Sequence, residues 1–206
     1  MAEKDKTGPA ETTAVEDLMQ EHGLLNRVLL IYEECMARIG AGTLPHPRFV
    51  HYSARIVRLF VEDYHERTEE QYVFPRFRQW GRRVEMVDEL QRQHDVGRAL
   101  TDQILVLSDT DSLTGDSSRV LVRALGDFVR MYRVHEAWED TVIFPEFRET
   151  LSSTEYARLG ELFEREEREK LGERGFERYL AMVDDLEKGL GIHDLARVTP
   201  HVDVGG

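Results

Sequence analysis

The chain has one cysteine, Cys35, so no disulfide framework holds the fold. Positive charge is scarce: 27 Lys and Arg stand against 40 Asp and Glu, a formal net charge of −13. That balance argues against a nucleic-acid ligand, whose phosphates demand a basic face. It argues equally against an anionic membrane surface. No apolar run approaches the roughly 20 residues of a membrane span; the longest are stretches such as residues 28–31. The opening residues, MAEKDKTGPAETTAVED, lack the apolar centre of a signal peptide. The expectation is a cytoplasmic protein.

What is present is helix. The 206 residues, 41% hydrophobic and 33% charged, suffice for one domain with a real core. Apolar residues at 3- and 4-residue spacing, such as Leu18, Leu25, Leu29 and Tyr32, then Ile56, Leu59, Phe60 and Tyr64, mark amphipathic helices. The pattern predicts helices over residues 13–39, 47–72, 83–107 and from 117 or 118 to Pro145, with Pro75 and Pro145 ending or kinking theirs. Short connections favour antiparallel neighbours. The expected fold is all-α: an up-down-up-down four-helix bundle with additional C-terminal helices. Residues 1–12 read as a flexible N-terminus, 13–150 as the bundle, and 151–206 as a charged helical extension with a loose tail.

Two stretches carry the chemistry. HERTEEQYVFPRF at 65–77 and HEAWEDTVIFPEF at 135–147 share His, Glu, Glu, Phe, Pro and Phe in register. Counting along the helices places four histidines together. His22 lies about ten residues after its helix begins and His94 about ten after its own; Pro75 and Pro145 each follow His65 and His135 by ten. At about 1.5 Å of rise per residue, all four sit about 15 Å from one end of the bundle. From the other end, His22 to Gly40 and Pro47 to His65 are both 18 residues. Residues i and i+4 share a helix face, so Glu69 joins His65 and Glu139 joins His135.

The layer then holds four imidazoles and two carboxylates. Two carboxylates buried together are costly, and one would take up a proton. Two cations, each held by two histidines and both bridged by the carboxylates, remove that difficulty. The predicted metal ligands are His22, His65, Glu69, His94, His135 and Glu139. The mixture of imidazole and carboxylate suits iron or manganese, with zinc also chemically admissible. The offsets of 72 residues (His22 to His94) and 70 residues (His65 to His135) make the bundle two copies of one helical hairpin.

These residues, EH at 21–22, HERTEEQYVFP at 65–75, QHD at 93–95 and HEAWEDTVIFP at 135–145, resemble the hemerythrin-like, or HHE cation-binding, family over roughly residues 13–150. The resemblance implies an antiparallel four-helix bundle holding two non-haem iron ions, oxo- or hydroxo-bridged. Oxygen-carrying members have a fifth histidine four residues after the match of His94, where this chain has Arg98. They also close the site with an Asp five residues after the last histidine, whereas Glu139 follows His135 by four. The pattern H…HxxxE…H…HxxxE is closer to the non-carrier branch, in which Glu66 would be auxiliary to the metal.

Finer expectations concern the surroundings. Gly97, one turn from His94, leaves either a small-ligand pocket walled by Leu25, Val61 and Met131 or room for close helix packing. Glu62, Gln91 and Tyr132, three residues before ligands, are candidate acceptors for the outer histidine N–H groups. Phe74 and Phe144 are expected to plug the bundle end, Cys35 to be a buried thiol, and His46, His51, His193 and His201 to be exposed. Glu69 and Glu139 as a glycosidase pair would need a cleft that a closed bundle lacks. Three functions remain: reaction of a di-iron centre with peroxide, dioxygen or nitric oxide; a sensor signalling through the C-terminal helices; and iron storage or delivery, including iron–sulfur repair.

Overall fold

The computed structural model describes residues 13–200. The expected loose N-terminus and His201 lie outside that range. Helix α1 spans Ala14–Gly40, entered through Thr13, whose N–H donates to the Glu16 carboxylate at 3.0 Å. Helix α2 runs over residues 48–80 and stops at Gly81, which takes φ 66° in the left-handed region. Helix α3 is Val84–Ser108, and α4 covers residues 115–149 from the Thr114 cap. Helices α5 (Ser153–Leu171), α6 (Gly175–Leu190) and the short α7 (Leu195–Val198) complete the chain. No strand occurs among the described residues.

The prolines neither end nor break their helices. Between each repeated Glu and its Phe-Pro, the segments Glu69–Val73 and Glu139–Ile143 widen into π-helical turns. An ordinary turn would drive the prolyl ring into the carbonyl four residues back; a widened one carries that carbonyl aside. Pro75 and Pro145 then sit in the first turn of the segments Phe74–Trp80 and Phe144–Glu149, where a missing N–H goes unnoticed.

Helices α1 to α4 form the four-helix bundle, α1 packing on α4 and α2, and α3 on α2 and α4. Its apolar interior is split in two. One cluster includes Leu29, Tyr32, Phe60, Leu125 and Phe128; the other includes Leu18, Phe74, Phe77, Phe144 and Phe147. The four expected histidines fall between them in sequence on every helix. Leu59, expected in the core stripe, is instead 42% exposed.

Helices α5 and α6 lie across α1 and α2. Tyr156 and Phe163 join the second cluster, while Leu171, Tyr179, Val183 and Leu190 join the first. Polar contacts fix the docking: Tyr156 Oη donates to Thr13 Oγ1 at 2.8 Å, and Arg27 Nε donates to Glu187 Oε1 at 2.9 Å. The extension therefore clasps the bundle on both sides of its polar layer.

Candidate metal centre

The structure brings all six expected ligands together: His22 on α1, His65 and Glu69 on α2, His94 on α3, His135 and Glu139 on α4. Each is buried. The imidazoles form two pairs, His22 with His65 (ring centroids 4.8 Å apart) and His94 with His135 (4.9 Å). Glu69 spans both pairs: its Oε1 lies 3.5 Å from His65 Nε2 and its Oε2 3.4 Å from His94 Nε2. Glu139 Oε2 lies 3.0 Å from His135 Nε2 and 3.4 Å from His22 Nε2. Each carboxylate thus reaches from its own hairpin into the other. Glu69, His94, His135 and Glu139 offer ligand atoms within 4.8 Å of one another, as do His22, His65 and Glu69.

These spacings suit cations. Ligands at about 2.0–2.2 Å from one metal ion stand about 3 Å from each other. The four oxygens of Glu69 and Glu139 are buried and accept no hydrogen bond. Buried carboxylates are ordinarily satisfied by donors; here the oxygens stand 3.0–3.5 Å from the imidazole nitrogens of His22, His65, His94 and His135.

The outer nitrogens explain why those imidazoles face inward. His22 Nδ1 is 2.8 Å from Asp140 Oδ1, His65 Nδ1 2.6 Å from Glu21 Oε2, His94 Nδ1 3.1 Å from Glu70 Oε1, and His135 Nδ1 3.0 Å from Gln93 Oε1. An acceptor at every Nδ1 holds the proton there and turns the bare Nε2 to the centre. The arrangement follows the internal repeat. The residue before each hairpin's first histidine (Glu21, Gln93) orients the second histidine of a hairpin, and the residue after each ligand Glu (Glu70, Asp140) orients a first histidine.

The sequence reading missed these four, and its candidates do other work. Glu62 pairs with Arg58, whose Nε is 3.0 Å from Oε2. Tyr132 donates from Oη to Glu66 Oε1 at 2.6 Å. Gln91 is only partly buried and makes no ligand contact of this kind. An Nδ1 on a bundle histidine points across to the next helix, so its acceptor lies level with the layer on that neighbour. The dipeptides EH, QH, EE and ED around the ligands were the available signal.

Other side chains complete the walls. Phe74 stacks on His94 (5.4 Å, 26°) and Phe144 on His22 (5.3 Å, 23°), so these rings floor the polar layer rather than plug the bundle end. The gap at Gly97 is filled: an added Cβ would stand 2.0 Å from Tyr132 Oη. Close packing, not an open pocket, accounts for this glycine, and Leu25 and Val61 belong to the apolar cluster above, with Met131 packed against it. Arg98, at the fifth-histidine position, binds Glu66 Oε2 at 2.7 Å and Glu70 Oε1 at 2.6 Å. Its repeat counterpart Asn26 donates to Glu136 Oε2 at 2.6 Å. Away from the centre, Cys35 is buried with its thiol pushed up to about 12 by burial, and His46 and His193 are exposed. His51 is half-buried against Ser108.

Electrostatics favour a cation in the layer. Burial pulls His94 down to about 4 against the Glu70 hydrogen bond, and burial likewise lowers His65. Both are neutral donors at pH 7. Burial lowers His22 as well, but Asp140 and Glu139 outweigh it and raise the group. Burial and the neighbouring Glu139 hold Glu69 well above the carboxylate range; burial also pushes Glu139 up, but His135 and His22 pull it below that range. Of the two adjacent carboxyls, one is thus held protonated and the other ionised in the absence of a cation; the charge of a bound metal would let both ionise.

A helical bundle with a buried His/Glu cluster able to hold metal defines a class of cation-binding protein. Residues 13–130 match the family described as Hemerythrin HHE cation binding domain, and the chain belongs to that family. It is 43% identical over 189 residues to uncharacterized proteins of Mycobacterium bovis and of Mycobacterium tuberculosis H37Rv, covering 91% of this chain and 74% of each relative. No solved structure matches the chain. No helix among the described residues is long and apolar enough to cross a membrane.

Proposed function

We propose that His22, His65, Glu69, His94, His135 and Glu139 hold two non-haem iron ions, and that the centre reacts with or senses a small oxidant such as peroxide, dioxygen or nitric oxide. The observation that carries this reading is the set of four buried carboxylate oxygens without hydrogen bonds, set among imidazoles whose outer nitrogens are all committed. Four imidazole nitrogens and two carboxylates suit iron or manganese, and the resemblance to hemerythrin-like proteins implies iron.

When bound, the iron pair would supply electrons and an open position for the ligand. The chain's part is orientation and exclusion of water. Glu69 and Glu139 hold the two half-sites at a fixed separation. Phe74 and Phe144 seal the layer below, and Tyr132 closes the space beside Gly97 above. Arg98 is committed to Glu66 and Glu70 and brings no fifth imidazole, which favours one-way redox chemistry or sensing over reversible oxygen carriage.

Metal analysis of protein purified without oxygen, followed by absorption spectra as air is admitted, tests the reading. A pair of irons per chain with new oxo-bridge charge-transfer bands is expected. Absence of bound metal after iron reconstitution would overturn it.

A sensor role has one supporting observation. Glu21, which orients His65, lines a cavity of about 240 Å³ together with Glu164, Glu167 and Glu177 of the extension. Metal-dependent protease protection of residues 151–200 is expected under this reading, and identical cleavage with and without iron would dismiss it.

A further inference from the structure

Arg98 lies on α3, one turn beyond His94, with 17% of its side chain exposed. One of its nitrogens, Nη2, stands 2.7 Å from Glu66 Oε2 and 2.6 Å from Glu70 Oε1. Glu66 Oε2 is buried and accepts no hydrogen bond even at this distance. The nitrogen therefore acts on it as a positive charge rather than as an aimed donor. A single cationic atom set between two carboxylates is the place of a metal ion, filled by a side chain. We propose that Glu66 and Glu70 form an outer cation position through which metal ions enter the centre, and that Arg98 is the gate that holds this position until an ion displaces it. The inference rests on the metal binding proposed above.

The outer position is contiguous with the centre. Glu66, Glu70 and His94 offer ligand atoms within 4.8 Å of one another, as do the two halves of the centre, and His94 belongs to both. The two positions lie at opposite edges of its ring: Glu70 Oε1 is 3.1 Å from Nδ1, and Glu69 Oε2 is 3.4 Å from Nε2. His94 keeps its Nδ1 proton, so an ion in passage is held by the two carboxylates and its own water. The internal repeat has no second mouth of this kind. Glu136, Asp140 and His22 do not come together as such a group, and neutral Asn26 takes the place of Arg98 there.

The surroundings let the side chain move while its helix stays. The Arg98 carbonyl accepts Arg58 Nη2 at 3.1 Å, which fixes the backbone. Outside, the 70% exposed Asp95 already stands 3.3 Å from Arg98 Nη1 and can receive the displaced guanidinium. A divalent ion carries twice the charge in a smaller radius, so it outcompetes a guanidinium between two carboxylates. Joining α2 to α3 does not account for the arrangement. Buried ion pairs add little net stability, and the Arg58–Asp102 pair at 2.6 Å already links these helices at the surface.

The test is stopped-flow mixing of the metal-free full chain with cobalt(II), whose visible absorption bands report its arrival. Arg98→Ala should take up cobalt faster by about tenfold, and Glu66→Gln slower by about tenfold, since the charge lining a mouth sets the rate at which ions enter it. Guanidinium chloride, far below denaturing concentrations, should slow uptake by Arg98→Ala in proportion to its concentration and leave the wild type unchanged. A merely structural role for Arg98 would show no such reversal. Uptake by Arg98→Ala at or below the wild-type rate, acceleration that guanidinium does not reverse, or uptake by Glu66→Gln at the wild-type rate overturns the proposal. If Arg98→Ala does not fold, Arg98→Lys is used, whose ammonium lacks the planar fork and holds the position less firmly: faster uptake supports the gate, and the wild-type rate refutes it. Wild-type protein that takes up no ion refutes the metal centre itself, and that result precedes any variant.

Discussion

His94 and His135 face each other between α3 and α4 with their Nε2 atoms 3.2 Å apart. The Nδ1 of each is held by an acceptor, Glu70 for one and Gln93 for the other. With protons on both Nδ1 atoms, the two inner nitrogens point lone pairs at one another. That geometry is repulsive until a cation stands near both. The same holds for Glu69 and Glu139, whose buried oxygens lack donors.

Metal binding should therefore stabilise the fold by linkage. At iron a hundredfold above its dissociation constant the gain is about 2.7 kcal/mol. For a chain of this size that corresponds to a rise in melting temperature of about 5–10 °C. Calorimetry of the iron-loaded protein before and after chelation measures it. Coincident melting curves would mean that the layer is satisfied without metal.

The acceptors should matter nearly as much as the ligands. His135→Ala and Glu139→Ala are expected to lose iron and stability, and Asp140→Ala, which frees His22 Nδ1, to weaken iron binding by about 10- to 100-fold. His193→Ala, at an exposed tail residue, should change neither. Iron titrations of the four variants decide the matter; equal retention in all of them would dissolve the proposed site.

How much of this could be read from sequence follows from what is local. The rise of a helix is fixed, so counting from the helix starts near residues 13 and 83 and from Gly40, Pro47, Pro75 and Pro145 located His22, His65, His94 and His135 at one depth, and i to i+4 spacing added Glu69 and Glu139. Relationships between helices were not legible. Which side chain meets an outward Nδ1 depends on the rotation of the neighbouring helix, so Glu21, Glu70, Gln93 and Asp140 stayed hidden behind Glu62, Gln91 and Tyr132. Pro75 and Pro145 read as breakers because propensity carries no information about the π-turns that accommodate them. The groove filled by α5 and α6 was equally invisible, since apolar stripes say that a face is buried but not against what.

Gly97→Ala tests the packing around Tyr132. The added methyl would meet Tyr132 Oη at 2.0 Å and Cζ at 2.8 Å in a fully buried region. Such overpacking costs about 1–3 kcal/mol. Tyr132→Phe should relieve only part of it, because the ring carbon stays close, so the double variant should be less destabilised than the sum of the single changes. Denaturant unfolding of the three proteins gives the coupling; strict additivity would show that glycine and tyrosine do not share this space.

Asp17 should make stability fall as pH rises. Burial, with the carboxylates of Glu21, Glu164, Glu167 and Glu16, lifts this group to about 7. Its place in the first turn of α1 favours the anion by under about 1 kcal/mol, too little to offset those terms. Between the unfolded value, about 3.9, and about 7 the folded chain binds the extra proton, so the slope of stability against pH is negative there. Below that window the acid is neutral in both states and costs nothing; above it the full penalty of the charge is present. Asp17→Asn removes the penalty. Allowing for the solvent that reaches this partly buried side chain, we expect the variant to be more stable by about 1–2 kcal/mol at pH 8 and indistinguishable from wild type near pH 4. Parallel stability curves for the two proteins from pH 4 to 8 would show that the acidic cavity between α1 and the extension does not hold this proton.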